Sequence, residues 1–377
     1  MPSEKNEMLE GALYCALSFI LFGSLLIFQT AGQVISIFSS LPMLLAAYRT
    51  PFKTAVMSLL ASTFLVCLAS PANSITYFTF YGLSGFLIGL FARKKFNPAG
   101  TIFFATFSCL AIFLIVILFL GGFTGSLPDG KFRQEALQVI DKLELDLLRD
   151  LEKSGKSVDE QKVALERFVQ VLKIMFQIFY PSIFVFSASC FALIYYLLGQ
   201  YLLLSYFRSE IVPFSLYSLP WKYIFVFIFS LGFYEAYTYL NHTNLMDMPD
   251  STGGNLLRYS LNILISSLIF YYFQGLAIVN NYFERIKVFG LLALMVFLFL
   301  SLILTFILHN PLLALPLAFL FSELIRRSRS TSMAIVVVFV YSVLIPPFLL
   351  FLTLLGIFDS WFDFRKLEGV THESNPA

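Results

Sequence analysis

Long apolar segments follow one another along most of the chain and are separated by short polar loops. Each approaches the about 20 apolar residues that a helix needs to cross a bilayer. Because the bilayer core offers no water to backbone N–H and C=O groups, such segments cross it as helices. We therefore predict an all-α fold, a polytopic transmembrane helical bundle. The segments lie at residues 11–28, 32–48, 54–70, 74–92, 100–123, 176–206, 221–240, 256–280, 287–308, 311–325 and 333–357.

The number of spans depends on the segment 311–325, which is short and contains Pro311 and Pro316. As a half-helix it leaves ten spans, and as a full crossing it gives eleven. The predicted bundle therefore has 10–11 spans. The side of the membrane on which the C-terminus lies stays open.

Composition argues against several other classes of protein. The chain is 58% hydrophobic and 13% charged, whereas a soluble domain carries about 25% charged residues. Its net charge of +2 gives no reason to expect nucleic acid. The four cysteines lie inside apolar segments, without the spacing of a disulfide framework or a metal site. No zinc-protease or serine-hydrolase motif is present, so we expect neither an enzyme nor a cofactor or metal.

Lys and Arg lie in alternate loops, which predicts the orientation in the membrane. Cytoplasmic loops are enriched in these residues. The chain starts MPSEKNEMLE, without the basic region of a signal peptide, so we expect the first helix to be retained with a cytoplasmic N-terminus. The basic loop residues are Arg49 and Lys53; Arg93, Lys94 and Lys95; Arg208 and Lys222; Arg285 and Lys287; and Arg326, Arg327 and Arg329.

One charged insert, residues 127–172, interrupts the apolar pattern between the fifth and sixth spans. Its leucines and isoleucines recur at helical spacing. Ser154-Gly155 breaks this pattern, and Ser157 with Glu160 resembles a capping box that opens a second helix. We predict a helical hairpin outside the cytoplasm, since long polar inserts cross the membrane largely regardless of charge.

Few polar residues lie within the apolar segments, and these are candidate solute ligands. An ionisable group inside a span is costly and marks function by default; Glu235 is the clearest case, although it could instead reach interfacial water. The eighth segment contains Asn262, Gln274 and Asn280. Asn262 and Gln274 are twelve residues apart and share a helix face. They either hydrogen-bond between helices or line a polar pathway.

Small residues at four-residue spacing form two further candidate surfaces. Gly85 and Gly89 make a G-x-x-x-G pattern, and Ala12 and Ala16 form a small patch near the start of the first span. Small residues let helix backbones approach closely. These residues are candidates for docking another helix of the chain or a partner protein.

The C-terminal end carries a dense polar and aromatic motif, LLGIFDSWFDFRK. It contains Asp359, Trp361, Asp363 and Arg365. Trp is typical of membrane interfaces, so the motif either anchors the helix end or docks onto the bundle.

This motif, together with the Gln-Gly-Leu-Ala run at 274–277, resembles the YybS-like family of predicted bacterial membrane proteins, domain of unknown function 2232. The resemblance covers roughly 11–366. It implies a multi-pass protein of the bacterial cytoplasmic (inner) membrane, without assigning an activity.

That family is distantly similar to the S components of energy-coupling-factor transporters, which bind the transported solute. S components dock on a coupling subunit through an A-x-x-x-A patch, which Ala12 and Ala16 match in place and spacing. The resemblance implies an S-component-like half at 1–207, with six predicted spans and the hairpin 127–172. A second membrane half at 208–377 follows.

Two functions follow as expectations. In the first, the protein binds or transports a small, partly apolar solute between its helices. In the alternative, it is a structural or regulatory membrane protein that engages a partner protein through the outer hairpin or the C-terminal motif. The expected partners are the lipid bilayer, a small solute and another membrane protein.

Overall fold

The structure is a computed structural model that describes residues 4–124, most of 137–149, and residues 158–205, 211–242, 250–285, 335, 338–339 and 346–362. Within these ranges its regular structure is entirely helical, which confirms the predicted all-α membrane bundle. The helices are α1 (Glu4–Ile27), α2 (Gln29–Ile37), α3 (Ser40–Arg49), α4 (Phe52–Ala69), α5 (Pro71–Thr76), a π-helical segment (Tyr77–Leu83), α6 (Ser84–Arg93), α7 (Pro98–Thr124), α8 (Val158–Ser205), α9 (Tyr223–His242), α10 (Asp250–Arg285) and α11 (Pro346–Phe362).

Six of the described helical stretches are long and apolar enough to cross a membrane. They are Asn6–Ile27, Phe52–Ala69, Pro71–Arg93, Pro98–Val116, Ile178–Leu203 and Leu257–Asn281. Two shorter apolar stretches, Ile35–Arg49 and Leu349–Phe362, accompany them. The predicted segments 287–308 and 311–325 lie outside the described residues, so the total of 10–11 spans stays a prediction.

The chain forms two compact units, each built from separated parts of the sequence. Unit 1 comprises 1–109, 188–226 and 267–377, and unit 2 comprises 110–187 and 227–266. The predicted division at residue 207 is not a boundary of either unit, and it stays a prediction.

The second predicted span, 32–48, is broken into α2 and α3 within unit 1. At the break, Phe38 N–H donates to Ile35 O at 3.0 Å and Leu41 N–H donates to Phe38 O at 3.1 Å. These are three-residue steps of a 3₁₀ turn rather than the four-residue steps of an α-helix. Pro42 explains part of the break, because it has no N–H to donate to the Phe38 carbonyl four residues earlier.

The charged hairpin is described in part, within unit 2. The described residues of 137–149 are helical, and α8 begins at Val158. Lys173 of α8 lies 2.7 Å from Asp141 and 2.9 Å from Glu144, which ties the first arm to the second. Hydrogen bonding to Asp141 and then to Glu144 raises the pKa of the Lys173 ammonium above its ordinary value.

Candidate functional site: a buried hydroxyl and aromatic cluster

Two of the residues proposed as solute ligands lie in unit 2 and have different surroundings. Glu235 is exposed on α9. Asn262 is buried on α10, with 6% of its surface exposed. A role for Glu235 in solute binding stays a prediction.

Pro181 lies inside α8 and removes one backbone hydrogen bond of that helix, and Asn262 bridges this proline break. In a regular helix the Ser182 N–H would bond to the Ile178 carbonyl. Here Ser182 N–H donates to Asn262 Oδ1 at 2.9 Å, and Asn262 Nδ2 donates to Ile178 O at 2.8 Å. The amide therefore satisfies both backbone groups, as neighbouring helices do at proline breaks in membranes.

The remaining hydrogen-bonding capacity of Asn262 is also used. Ser182 Oγ donates to Oδ1 at 2.7 Å, and Nδ2 donates to Arg258 O at 2.7 Å. An amide side chain offers two donors and two acceptor positions. In this arrangement Asn262 forms hydrogen bonds between α10 and α8. This is one of the two roles predicted for it; the other was to line a polar pathway.

We expect Asn262→Leu to lower the free energy of unfolding by about 1–3 kcal/mol, because it unpairs buried backbone groups at the proline break. The measurement is the apparent Tm of the detergent-solubilised protein. Ser260→Ala is the matched control, since Ser260 is also buried on α10 but its Oγ donates to Leu257 O of its own helix, at 2.9 Å. Equal shifts in the two variants would contradict the bridging role.

Gln274 joins three parts of unit 1. Its Oε1 accepts from the Leu219 backbone N–H at 3.2 Å, and its Nε2 donates to Asp359 Oδ2 at 2.9 Å. Leu219 belongs to the segment 211–220, which is irregular apart from a 3₁₀ turn at Phe214–Leu216, and Asp359 belongs to α11. A residue proposed as a solute ligand is thus bonded to a residue of the C-terminal motif.

Half of the residues of the segment 211–220 are buried, although its backbone is irregular outside the 3₁₀ turn. Buried backbone N–H and C=O groups need hydrogen-bond partners, which an irregular segment does not supply from within itself. Side chains supply such partners here. In addition to the Gln274 bond to Leu219, the Gln200 side chain accepts from Phe214 N–H at 3.0 Å, and Tyr196 OH donates to Val212 O at 2.5 Å. Side chains of α8 and α10 thereby hold this segment in place.

Two residues of the C-terminal motif differ strongly in their exposure. Asp359 is buried with 4% of its surface exposed, while Trp361 is 61% exposed. Of the two interpretations, Asp359 fits docking onto the bundle and Trp361 fits an interfacial anchor. Asp363 and Arg365 lie outside the described residues.

The remaining predicted residues have contrasting placements in unit 1. Asn280 is fully buried. Gly85 and Gly89 lie directly against the backbone of α3, whereas Ala12 and Ala16 are exposed on α1. The glycines therefore face another helix of the same chain. Docking of a partner on Ala12 and Ala16 stays a prediction.

The break between α2 and α3 gathers hydroxyl groups that the sequence analysis did not single out. Ser18 Oγ of α1 donates to the Ser39 carbonyl at 2.6 Å. With its proton used there, Ser18 accepts from Tyr77 OH, also at 2.6 Å. All three residues are fully buried, and Tyr77 begins the π-helical segment. Such segments are frequent at functional sites.

Ser39 adds a hydroxyl without a hydrogen-bond partner among the described residues. Leaving a buried hydroxyl unpaired costs about 1–3 kcal/mol. Such a group in a native structure calls for an explanation, for example a water or a ligand.

A chain of aromatic contacts leads from the Tyr77 ring of this group to α8. Phe22 packs edge-on against Tyr77, with ring centroids 4.9 Å apart, and against Tyr81 at 5.4 Å. Tyr81 in turn contacts Phe191 of α8 at 5.9 Å. We call Ser18, Ser39, Tyr77, Phe22, Tyr81 and Phe191 the hydroxyl–aromatic cluster. None of these side chains is charged, so the cluster suits an uncharged, partly apolar molecule with hydrogen-bonding groups.

Comparison with known protein families gives a match over most of the chain. A family model described as "Predicted membrane protein (DUF2232)" matches residues 16–315. No curated protein and no solved structure matches the chain. The comparisons therefore do not show the similarity to S components of energy-coupling-factor transporters. Because the family model spans most of the chain, this multi-pass membrane protein belongs to the DUF2232 family of predicted membrane proteins.

Proposed function

We propose that the protein binds a small, uncharged, partly apolar solute in the hydroxyl–aromatic cluster, as a binding or transport protein of the membrane. The observation that carries the proposal is the fully buried Ser39 hydroxyl, which has no partner among the described residues and lies at a helix break. A solute with a hydrogen-bond acceptor would satisfy this group.

The depth of the cluster supports the same proposal. Ser18 lies near the middle of the candidate span Asn6–Ile27. The break at Ser39 falls midway between the outer ends of α2 and α3. Transporters commonly bind their substrates near the bilayer midplane, at discontinuous helices. A break and a π-helical segment meeting at mid-depth match this pattern.

The proposal is tested by identifying what the protein carries. The full chain is purified from its native membranes in mild detergent, and bound small molecules are extracted and identified by mass spectrometry. The identified compound is then titrated onto the emptied protein by calorimetry. A protein that carries no solute and binds none of the extracted compounds would contradict the proposal.

We expect Ser39→Ala to weaken solute binding about two- to thirteenfold, the size of one hydrogen bond of about 0.5–1.5 kcal/mol. The apparent Tm of the solute-free protein should not fall, because an unpaired hydroxyl is removed. Ser36→Ala is the matched control: Ser36 is also fully buried at the break, but its Oγ donates to Gln33 O at 2.8 Å in its own helix. It should leave affinity unchanged, and unaltered affinity in Ser39→Ala would exclude this site.

A further inference from the structure

Three basic loops of unit 1, far apart in sequence, meet on one face. Arg93 Nη1 donates to Thr50 O at 2.7 Å, which joins the loop after α6 to the loop after α3. Asn97 Nδ2 donates to Ser218 Oγ at 3.4 Å, which joins the same α6 loop to the segment before α9. By their content of Lys and Arg, all three loops are predicted to be cytoplasmic.

The N-terminal end of α1 lies on this same face. Arg49 at the end of α3 pairs with Glu10 of α1 at 3.5 Å. The start of α1 and the basic loops are therefore on one side of unit 1, and the cytoplasmic location of that side stays a prediction.

The basic groups differ in their engagement with the protein. The two arginines of the contacts above bind groups of this chain, Arg49 a carboxylate and Arg93 a carbonyl. Three lysines, one from each loop, have exposed side chains. We call this set the lysine face; its members are Lys53, Lys94 and Lys222.

Exposed aromatic residues accompany the lysines in each loop. Phe52 is 57% exposed beside Lys53, Phe96 is 43% exposed near Lys94, and Trp221 is 64% exposed beside Lys222. Lys222 Nζ lies 6.0 Å from the centre of the Trp221 ring. Aromatic rings next to ammonium groups are typical of the level at which lipid headgroups lie.

We infer that the lysine face binds the headgroups of anionic phospholipids of the cytoplasmic leaflet. Juxtamembrane basic clusters are attracted to anionic lipid, and lysine binds phosphate as a point charge. The exposed aromatic rings favour a lipid over an acidic soluble protein, because they place the ammonium groups at the bilayer surface.

The experiment counts lipids on the intact protein. The full chain in mixed micelles of detergent with phosphatidylcholine or phosphatidylglycerol is analysed by native mass spectrometry. We expect wild-type protein to retain phosphatidylglycerol over phosphatidylcholine. The variant Lys53→Gln/Lys94→Gln/Lys222→Gln should lose at least about tenfold in phosphatidylglycerol affinity, since each basic residue near an anionic surface contributes a factor of about five.

A matched control removes the same charge elsewhere. Lys142→Gln/Lys162→Gln/Arg167→Gln neutralises three exposed basic residues of the charged insert and α8, and it should retain phosphatidylglycerol as wild type does. Equal retention by the lysine-face variant, or equal loss by the control variant, would overturn the inference. Displacement of the lipid by inorganic phosphate at matched ionic strength would also overturn it, because a free anion would then be the preferred ligand.

Discussion

Replacing Gly89 with alanine is expected to lower the free energy of unfolding by about 1–3 kcal/mol, the usual cost of inserting a methyl group into a packed interface. A Cβ atom built at Gly89 falls far inside van der Waals contact with the Leu44 carbonyl of α3. One turn earlier, a Cβ atom at Gly85 meets the Ser40 carbonyl in the same way. Because the opposing atoms are backbone, a side-chain rotation cannot relieve the overlap, and α3 must move.

The chain offers a matched control for this substitution. Gly23 lies inside α1, and a Cβ atom there meets nothing within 4 Å. Gly23→Ala should leave stability unchanged or raise it, since alanine is favoured over glycine in a helix by about 1 kcal/mol. The measurement is the apparent Tm of each solubilised variant by fluorescence-detected size-exclusion chromatography. If the apparent Tm of Gly89→Ala equals that of Gly23→Ala and of wild type, the contact between α3 and α6 is not close-packed.

The displacement of α3 in Gly89→Ala also affects the proposed solute site. Ser40 and Leu44 follow the break at Ser39 on α3, so a shift of α3 also moves the Ser39 hydroxyl. We expect solute affinity to fall in Gly89→Ala together with stability. In Ser39→Ala affinity should fall alone, which separates damage to the scaffold from loss of a ligand.

Membrane helices were predictable from the sequence because apolar length alone decides them. The break at Ser39 was not, because segment 32–48 is mostly apolar and its length fits one span. The local cue was Pro42 after Ser39 and Ser40, since a proline removes one donor and serines compete for backbone groups. That cue is weak without a neighbour such as Ser18, whose position depends on tertiary packing.

For the side-chain amides of the eighth segment, the sequence predicted two alternative roles, a hydrogen bond between helices or a polar pathway, without deciding between them. The sequence places Asn262 and Gln274 on one face of a helix, but it does not give their partners. Asn262 pairs with a proline break about 80 residues earlier, and Gln274 with a carboxylate 85 residues later. Such distant pairs depend on the topology of the bundle, which periodicity within one helix cannot supply.

Gln274→Leu is expected to lower the free energy of unfolding by about 2–6 kcal/mol, because two buried groups lose a partner at about 1–3 kcal/mol each. The groups are the Leu219 N–H and the Asp359 carboxylate. We expect the segment 211–220 to loosen as well. Labelling of a cysteine introduced at Ser218, with accessible native cysteines replaced, measures that loosening, and Tm measures stability.

Gln33→Leu is the control for exchanging an amide for an apolar side chain, since Gln33 is exposed on α2. It should change neither Tm nor labelling at position 218. Faster labelling in Gln274→Leu alone shows that this amide holds the segment. An unchanged labelling rate in Gln274→Leu would mean that Gln200 and Tyr196 hold the segment without Gln274.

A double-mutant cycle separates the two hydrogen bonds of Gln274. Asp359→Asn keeps an acceptor for Gln274 Nε2 and should cost less than Gln274→Leu. In the double variant Gln274→Leu/Asp359→Leu both partners are apolar, which can be nearly neutral when shape is kept. Its cost should therefore fall below the sum of the single Leu variants, leaving mainly the unpaired Leu219 N–H. Strict additivity would show that Gln274 and Asp359 are not coupled, and the hydrogen bond between α10 and α11 would then contribute nothing to the stability of unit 1.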